Sequence, residues 1–323
     1  VPTGLPLLEA CSARDLVIRD GVVESVSLSG RAFLSHGDRL FREMPIRGVR
    51  LVAIQPFVRE LASCPHLAHV HALDLTGNQL SAAGLRELLA SPHARFDSID
   101  LAQNGLGDEG LRALASWPGF ASLRSLGLSG NGLTEATLGL LADAANLDSL
   151  TLSRNPLPRS SLDGLPGSLR SLALSGCEVA SLDLRRLTLL EHLNLSHNVG
   201  AAREGTRFPD SLLHLDLSFC EIDSCREEWP RLRSLKLRGN RLQYLESRLP
   251  PSLEAIDLAL NPLGDVGVRC LAERARPANL KSLDLTNVGL TRAGLEFLDT
   301  SGWLAGLEHL SLDWNPCVAR VGS

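Results

Sequence analysis

Asp97 to Leu106 reads DSIDLAQNGL, Leu123 to Leu133 reads LRSLGLSGNGL, and Leu232 to Leu242 reads LRSLKLRGNRL. The last two hold an aliphatic residue, two variable residues, Leu, one variable residue, Leu, then Asn after two more, and the first enters the same frame two residues before Ile99, which takes the place of the first Leu. Thirteen such patterns lie between Val23 and Cys317 of the 323-residue chain. Self-similarity at a period of 20–27 residues means a stack of small units, each burying its apolar face only against its neighbours. Strand alternation sends the two leucines inward and the residues beside them outward to one common face.

The position usually filled by Asn marks the register: Arg31, Ile54, Asn78, Asn104, Asn131, Asn155, Cys177, Asn198, Cys220, Asn240, Asn261, Val288 and Asn315. Each mark is expected to close a parallel strand, from Val26–Leu28, Val49–Leu51, Leu73–Leu75 and Ile99–Leu101 to Leu310–Leu312. A buried amide there satisfies backbone groups orphaned where the chain leaves the strand. Cys177 and Cys220 read as structural replacements for it.

This pattern resembles the leucine-rich repeat family over more than nine-tenths of the chain. The resemblance implies an α/β horseshoe-shaped solenoid with a parallel sheet on its concave face. Long units, with marks 26 or 27 residues apart, carry helix patterns from Ser81, Asp108, Thr134, Asp265 and Thr291, residues that cap helix starts. Gly84, Gly110, Gly267 and Gly294 recur at matching places, where a missing side chain would let a helix press on the sheet. These units resemble the ribonuclease-inhibitor subclass. Units from Asn155 to Asn261 span only 20 to 22 residues and hold Pro156, Pro158, Pro166, Pro209, Pro230, Pro250 and Pro251, so extended segments are expected behind them. The spacing predicts a horseshoe flattened at its centre. Residues 1–22 are expected to form an N-terminal cap or irregular segment, and 23–323 the repeat domain. The degenerate first repeats resemble those of large bacterial relatives that carry a companion domain upstream, which suggests a fragment.

A net charge of −5 points to no polyanion partner. No apolar run is long enough to cross a bilayer, and no signal-peptide pattern opens the chain. Seven scattered cysteines favour a reducing cytoplasm. Arginine outnumbers lysine, whose only members are Lys236 and Lys281, and this bias suggests a GC-rich bacterial genome.

Gly105-Leu106-Gly107-Asp108-Glu109-Gly110 matches a dinucleotide-binding fingerprint, yet repeat phase accounts for each of its glycines. Cys64, His66, His69, His71 and Asp74 form a run of metal-ligand types; solvated loop histidines are the favoured reading, and no metal or cofactor is expected. Asn194-Leu195-Ser196 fits a glycosylation acceptor, but on a strand it reads as chance. No nucleophile elbow, kinase set or phosphate loop is present. Asp74, Asp100, Asp216, Asp257 and Asp284 recur at one strand position and predict an acidic row that would repel nucleic acid. Trp117, Trp229 and Trp303 read as core.

The functional expectation is a non-catalytic scaffold binding a protein on its concave face, with no nucleic acid, membrane or small-molecule substrate. A regulatory domain of a larger enzyme and a GTPase-activating type of regulator are the alternatives. Three adjacent strands break the Ser- and Gly-rich monotony with His192, Asn194 and His197, then His214, Asp216 and Phe219, then Arg233, Lys236 and Arg238. Phe219 and Trp314 each precede a register mark at a position that is normally small or polar, as at Gly77, Gly130, Gly176 and Gly239. These ten residues are the candidate contacts, weighed against ordinary solvated strand residues.

Overall fold

The computed structural model describes residues 5–20, 22–158, 162–201, 206–274 and 276–318. The parts of the expected cap at 1–4 and 21, and of the chain end at 319–323, lie outside them. The chain divides into two compact units, Val1–Leu157 with Ser161–Leu169, and Pro158–Ser160 with Arg170–Ser323.

In the first unit, helix α1 (Leu5–Ala10) leads to strand β1 (Arg14–Arg19), which pairs antiparallel with β2 (Val22–Ser29). Parallel strands β3 (Gly48–Val52), β4 (Ala72–Asp74), β5 (Ser98–Asp100), β6 (Ser125–Gly127) and β7 (Ser149–Thr151) follow in chain order. The second unit holds β8 (Ser171–Ala173), β9 (His192–Asn194), β10 (His214–Asp216), β11 (Ser234–Lys236), β12 (Ala255–Asp257), β13 (Ser282–Asp284) and β14 (His309–Ser311), again parallel and in chain order. Register is residue on residue, with Leu73 opposite Ile99 and Ile99 opposite Leu126 in one unit, and Leu193 opposite Leu215 and Leu215 opposite Leu235 in the other. The paired leucines are buried up to β13, as are Trp117, Trp229 and Trp303, whereas Leu310 on the last strand is 39% exposed. Among the described residues no helix is long and apolar enough to cross a membrane.

From β4 onward the strands are three residues long and begin one residue earlier than the sequence predicts, whereas β2 and β3 run to eight and five residues. The cause is a handover from main chain to side chain at the second leucine. Leu75 N–H still bonds Asp100 O on the next strand (2.8 Å), but Leu75 O accepts from the Nδ2 groups of Asn78 and Asn104 (both 2.9 Å). Each amide thus staples two repeats. Asn104 Oδ1 accepts from the N–H groups of Asn78 (3.0 Å) and Leu80 (2.9 Å), while Nδ2 also donates to its own Leu101 O (3.0 Å). Cys220 replaces only the donor half, its thiol facing Leu195 O at 3.2 Å. Arg31 is a false mark: β2 runs straight into α2 (Gly30–Glu43), and Arg31 is exposed on that helix.

Helices α4 (Ala82–Leu89), α5 (Gly107–Ala115) and α6 (Glu135–Leu138, continued as a 3-10 turn) cover the first unit, after the short α3 (Val58–Ala62). Helices α7 (Gly264–Ala272) and α8 (Arg292–Thr300) cover the last repeats of the second. Ser81 and Thr134 cap as expected. Asp108 and Asp265 do not, because their helices begin one residue before them. Asp108 instead accepts from Thr134 N–H (2.9 Å), Thr134 Oγ1 (2.7 Å) and Thr137 Oγ1 (2.8 Å) in the next repeat. Asp265 receives Thr291 N–H and Oγ1 in the same way, at 2.8 and 2.6 Å. The recurrent glycines make room not for the sheet but for the leucine four residues earlier and, at Gly267 and Gly294, for the preceding repeat as well. A Cβ on Gly110 would stand 2.4 Å from Leu106 Cβ, and one on Gly267 2.2 Å from Gln243 O.

The short units between β8 and β12 have extended backs, joined at one place by a parallel bridge between Asp183 and Arg207. Their prolines also set the turn back into the sheet. Pro209 O accepts Leu212 N–H (3.4 Å) and Pro250 O accepts Leu253 N–H (3.0 Å). The serines inside those turns, Ser211 and Ser252, donate to Leu190 O (2.7 Å) and Leu232 O (2.9 Å) of the preceding repeats.

Candidate functional site

The candidate residues lie in the second unit, where β9, β10 and β11 align their outward positions into rows. His192 and His214 face each other across adjacent strands, their rings stacked at 4.4 Å with planes 5° apart. Burial pushes the His214 pKa below the ordinary histidine value, aided by the neighbouring His192 and Arg233. One step along the strands, Asn194, Asp216 and Lys236 form the second row. Asn194 Oδ1 accepts Ser196 N–H (2.9 Å) and Asp216 Oδ1 accepts Ser218 N–H (3.0 Å), so both side chains shape the strand exit as well as the surface.

The third row lies where each strand turns away. The residue before every mark from Ile54 to Asn315 has positive φ, which explains why glycine is common there: a side chain in the left-handed region strains the backbone. His197 (φ 59°) and Phe219 (φ 57°) accept that conformation, and their rings stack at 4.8 Å and 10°. Phe219 lies flat over Gly239, where a Cβ would meet its ring at 2.3 Å. The ring is 39% exposed.

The cations are ion-paired. Lys236 reaches Asp216 at 3.8 Å, and Arg238 lies between Asp257 (3.9 Å) and Asp284 (3.4 Å). Arg233 stands at the strand entrance in a row of paired charges: Arg170 with Glu191 (2.8 Å), Arg233 with Glu254 (3.5 Å) and Lys281 with Glu308 (3.3 Å). Trp314 is 85% exposed at the exit of β14, three strands beyond β11 and so apart from the other nine residues, about 14 Å away at the usual strand spacing.

The expected acidic positions fall as Asp74 and Asp100 in the first unit and as Asp216, Asp257 and Asp284 in the second, and they are largely committed. Asp74, Asp100, Asp216, Asp257 and Asp284 each accept the N–H two residues on, at 2.8 to 3.0 Å. Arg50 reaches Asp74 at 3.5 Å, and Lys236 and Arg238 compensate the row in the second unit. It is therefore a weaker barrier to phosphate than the sequence predicts. Burial raises the Asp257 pKa, as does Asp284 beside it.

The two tempting patterns in the first unit resolve into structure. Gly105 and Gly107 both have positive φ, and Gly107 N–H bonds Asn131 O at 2.9 Å, so this helix start serves the neighbouring repeat. In the Cys/His run, His66 and His69 both stack on Phe41 (6.4 and 5.2 Å), and His71 Nδ1 meets Asp97 Oδ2 at 2.9 Å. Among the described residues no group of three or more His, Cys, Asp or Glu side chains converges as a metal site.

The leucine-rich repeat family profile matches residues 66–89, 98–115 and 250–272. The chain is a leucine-rich repeat protein. It is 31% identical to Podocan-like protein 1 of Mus musculus over 75% of this chain and 45% of that protein. It is 40% identical to Leucine-rich repeat-containing protein 14 of Homo sapiens over 34% of this chain and 23% of that protein. The chain thus spans less than half the length of either relative. Among solved structures, the leucine-rich repeat domain of APL1B matches with a TM-score of 0.50 at 18% identity, covering 72% of this chain and 65% of that one.

Two features of this leucine-rich repeat surface escaped sequence reasoning. Leu260 shares the left-handed row of Phe219 and Trp314 and is 36% exposed; its place directly before Asn261 was the available signal. Leu213 interrupts the paired charges between Glu191 and Arg233. Only the register of neighbouring repeats reveals that gap.

Proposed function

We propose that this chain is a non-catalytic scaffold whose protein partner docks on the strand face of the second unit, across β9, β10 and β11. A protein-interaction scaffold is the general reading that its leucine-rich repeat relatives support. The observation that carries the finer reading is the Phe219 ring, held flat over Gly239 by a left-handed backbone and stacked on His197 while still exposed. Aromatic anchors ringed by small polar contacts are the usual energetic centres of interfaces. His192, His214, Asn194 and Lys236 form the adjoining surface, with Asp216, Arg233 and Arg238 as its charged border and Trp314 as a separate contact. These side chains stand on paired backbone and lose little freedom on binding. A cytoplasmic, bacterial setting is supported by the arginine bias and by seven cysteines, none of them in a disulfide.

The test is differential capture. Wild type, Phe219→Ala, Arg238→Ala and Ser125→Ala are immobilised, and retained proteins are compared quantitatively. The reading expects proteins kept by wild type and Ser125→Ala but weakened more than about threefold by both other changes, a loss above 0.6 kcal/mol. Equal retention by all four places the interface elsewhere.

A further inference from the structure

We propose that His192 and His214 form a two-nitrogen site for a divalent transition-metal ion, each imidazole giving one ring nitrogen and water completing the shell. Zn²⁺ and Ni²⁺ are the chemical class meant, being borderline ions that imidazole suits. The inference does not depend on whether a protein docks on the same strands.

Geometry comes first. The two rings stand at equivalent positions of adjacent parallel strands, 4.4 Å apart and nearly parallel. With Zn–N bonds of about 2.0–2.1 Å, two nitrogens on one tetrahedral ion lie about 3.3 Å apart. Rotation of each ring about its terminal torsion, which is broad for histidine, turns one nitrogen of each out of the stack toward a shared point. The backbone register already supplies the rest, so binding orders little that is not ordered now.

The nitrogens are also free. Among the described residues neither imidazole has a hydrogen-bond partner. The contrast is with His71, whose Nδ1 is bonded to Asp97. A shallow hollow of about 320 Å³ opens over the pair, flanked by the small residues Ser171, Ala173 and Ser234, which leaves room for an ion and its waters. The charged groups around the pair are already matched: Glu191 with Arg170, Glu254 with Arg233, and Asp216 with Lys236.

Untagged, chelator-washed full chain is titrated calorimetrically with ZnCl₂ and with NiCl₂ at pH 7.5. The expected result is one ion per chain, with affinity falling at least about tenfold in His192→Ala and likewise in His214→Ala. The double variant His66→Ala/His69→Ala removes the imidazoles beside Phe41 and should bind within about twofold of wild type. Binding should weaken at pH 5.5, where protons compete for the same nitrogens. His192→Gln and circular dichroism on every variant separate loss of ligand from loss of fold. The proposal is overturned if wild type shows no saturable binding near one equivalent. It is equally overturned if a folded His192→Ala/His214→Ala variant binds as wild type does.

Discussion

The repeats around Asn104 and Asn131 in the first unit, and those around Asn198 and Asn240 in the second, share one interior and differ on both outer surfaces. Inside, each has the same leucine pair and the same amide reaching two carbonyls. Behind, the long repeats return through α5 and α6, whereas the short ones return through extended chain and proline turns. A helix advances about 1.5 Å per residue and extended chain about 3.3 Å, so fewer residues cover the back only if they are stretched. In front, Ser98, Ser125 and Ser149 in the first unit correspond to His192 and His214 in the second. The backbone ladder is identical whatever side chain points outward, so the open face is the surface that sequence can vary without disturbing the stack.

The sharpest way to break this comparison is to remove one staple. Asn131→Ala orphans the N–H groups of Asn104 and Leu106 and removes one of the two amide donors to each of the Leu101 and Leu128 carbonyls. Denaturant melts should show a loss of about 3 kcal/mol, since buried groups left unpaired cost roughly 1–3 kcal/mol each and partial relaxation recovers some. An unchanged midpoint would mean that the ladder is not the common interior.

Next in size is the device found only behind the long repeats. Asp108→Ala should cost about 1–2 kcal/mol through three lost bonds to a carboxylate. Burial alone would raise the Asp108 pKa, but the bonds from Thr134 and Thr137, with Arg112 nearby, lower it below the ordinary aspartate value. Its contribution is therefore complete above that ordinary value and is lost as pH falls through the depressed one. Melts of the variant and wild type should converge in acid; a constant gap would assign the effect to packing.

A smaller effect belongs to the substituted staple. Cys220 supplies a thiol but no amide oxygen, so Cys220→Ala should lose about 1 kcal/mol, well under Asn131→Ala. Burial raises its pKa to about 11, and the folded protein should resist thiol alkylation at this site at neutral pH. Equal losses from the two alanine variants would show that the oxygen half of the amide contributes nothing.

The smallest expected change sharpens the contrast between the two faces. Asp257→Asn keeps an oxygen for Ala259 N–H, as Asn194 already does for Ser196 N–H in the same row. Because the Asp257 pKa is raised, its charge opposes folding above that value and is harmless below the ordinary one. The variant should melt slightly higher than wild type at pH 7 and equal to it in acid. A lower melt at pH 7 would show that the link to Arg238 outweighs the crowding of Asp257 with Asp284.

The leucine spacing alone determined the parallel strands from β2 on, their order, the buried pairs and the amide ladder, because each of these follows from a period that repeats within the chain; the antiparallel β1 carries no such spacing. Helix-bearing and extended repeats were legible from length and proline content for the same reason. Arg31 misled because a degenerate repeat kept the leucine spacing while its chain passed directly into a helix. Tertiary structure alone decided what neighbouring repeats do to each other: Asp108 serving Thr134, Arg238 spanning Asp257 and Asp284, Phe219 lying over Gly239, and His192 stacking on His214. These partners stand 19 to 46 residues apart in sequence. Their meeting depends on where each side chain points once the strands are in register, a direction that the repeat pattern does not carry.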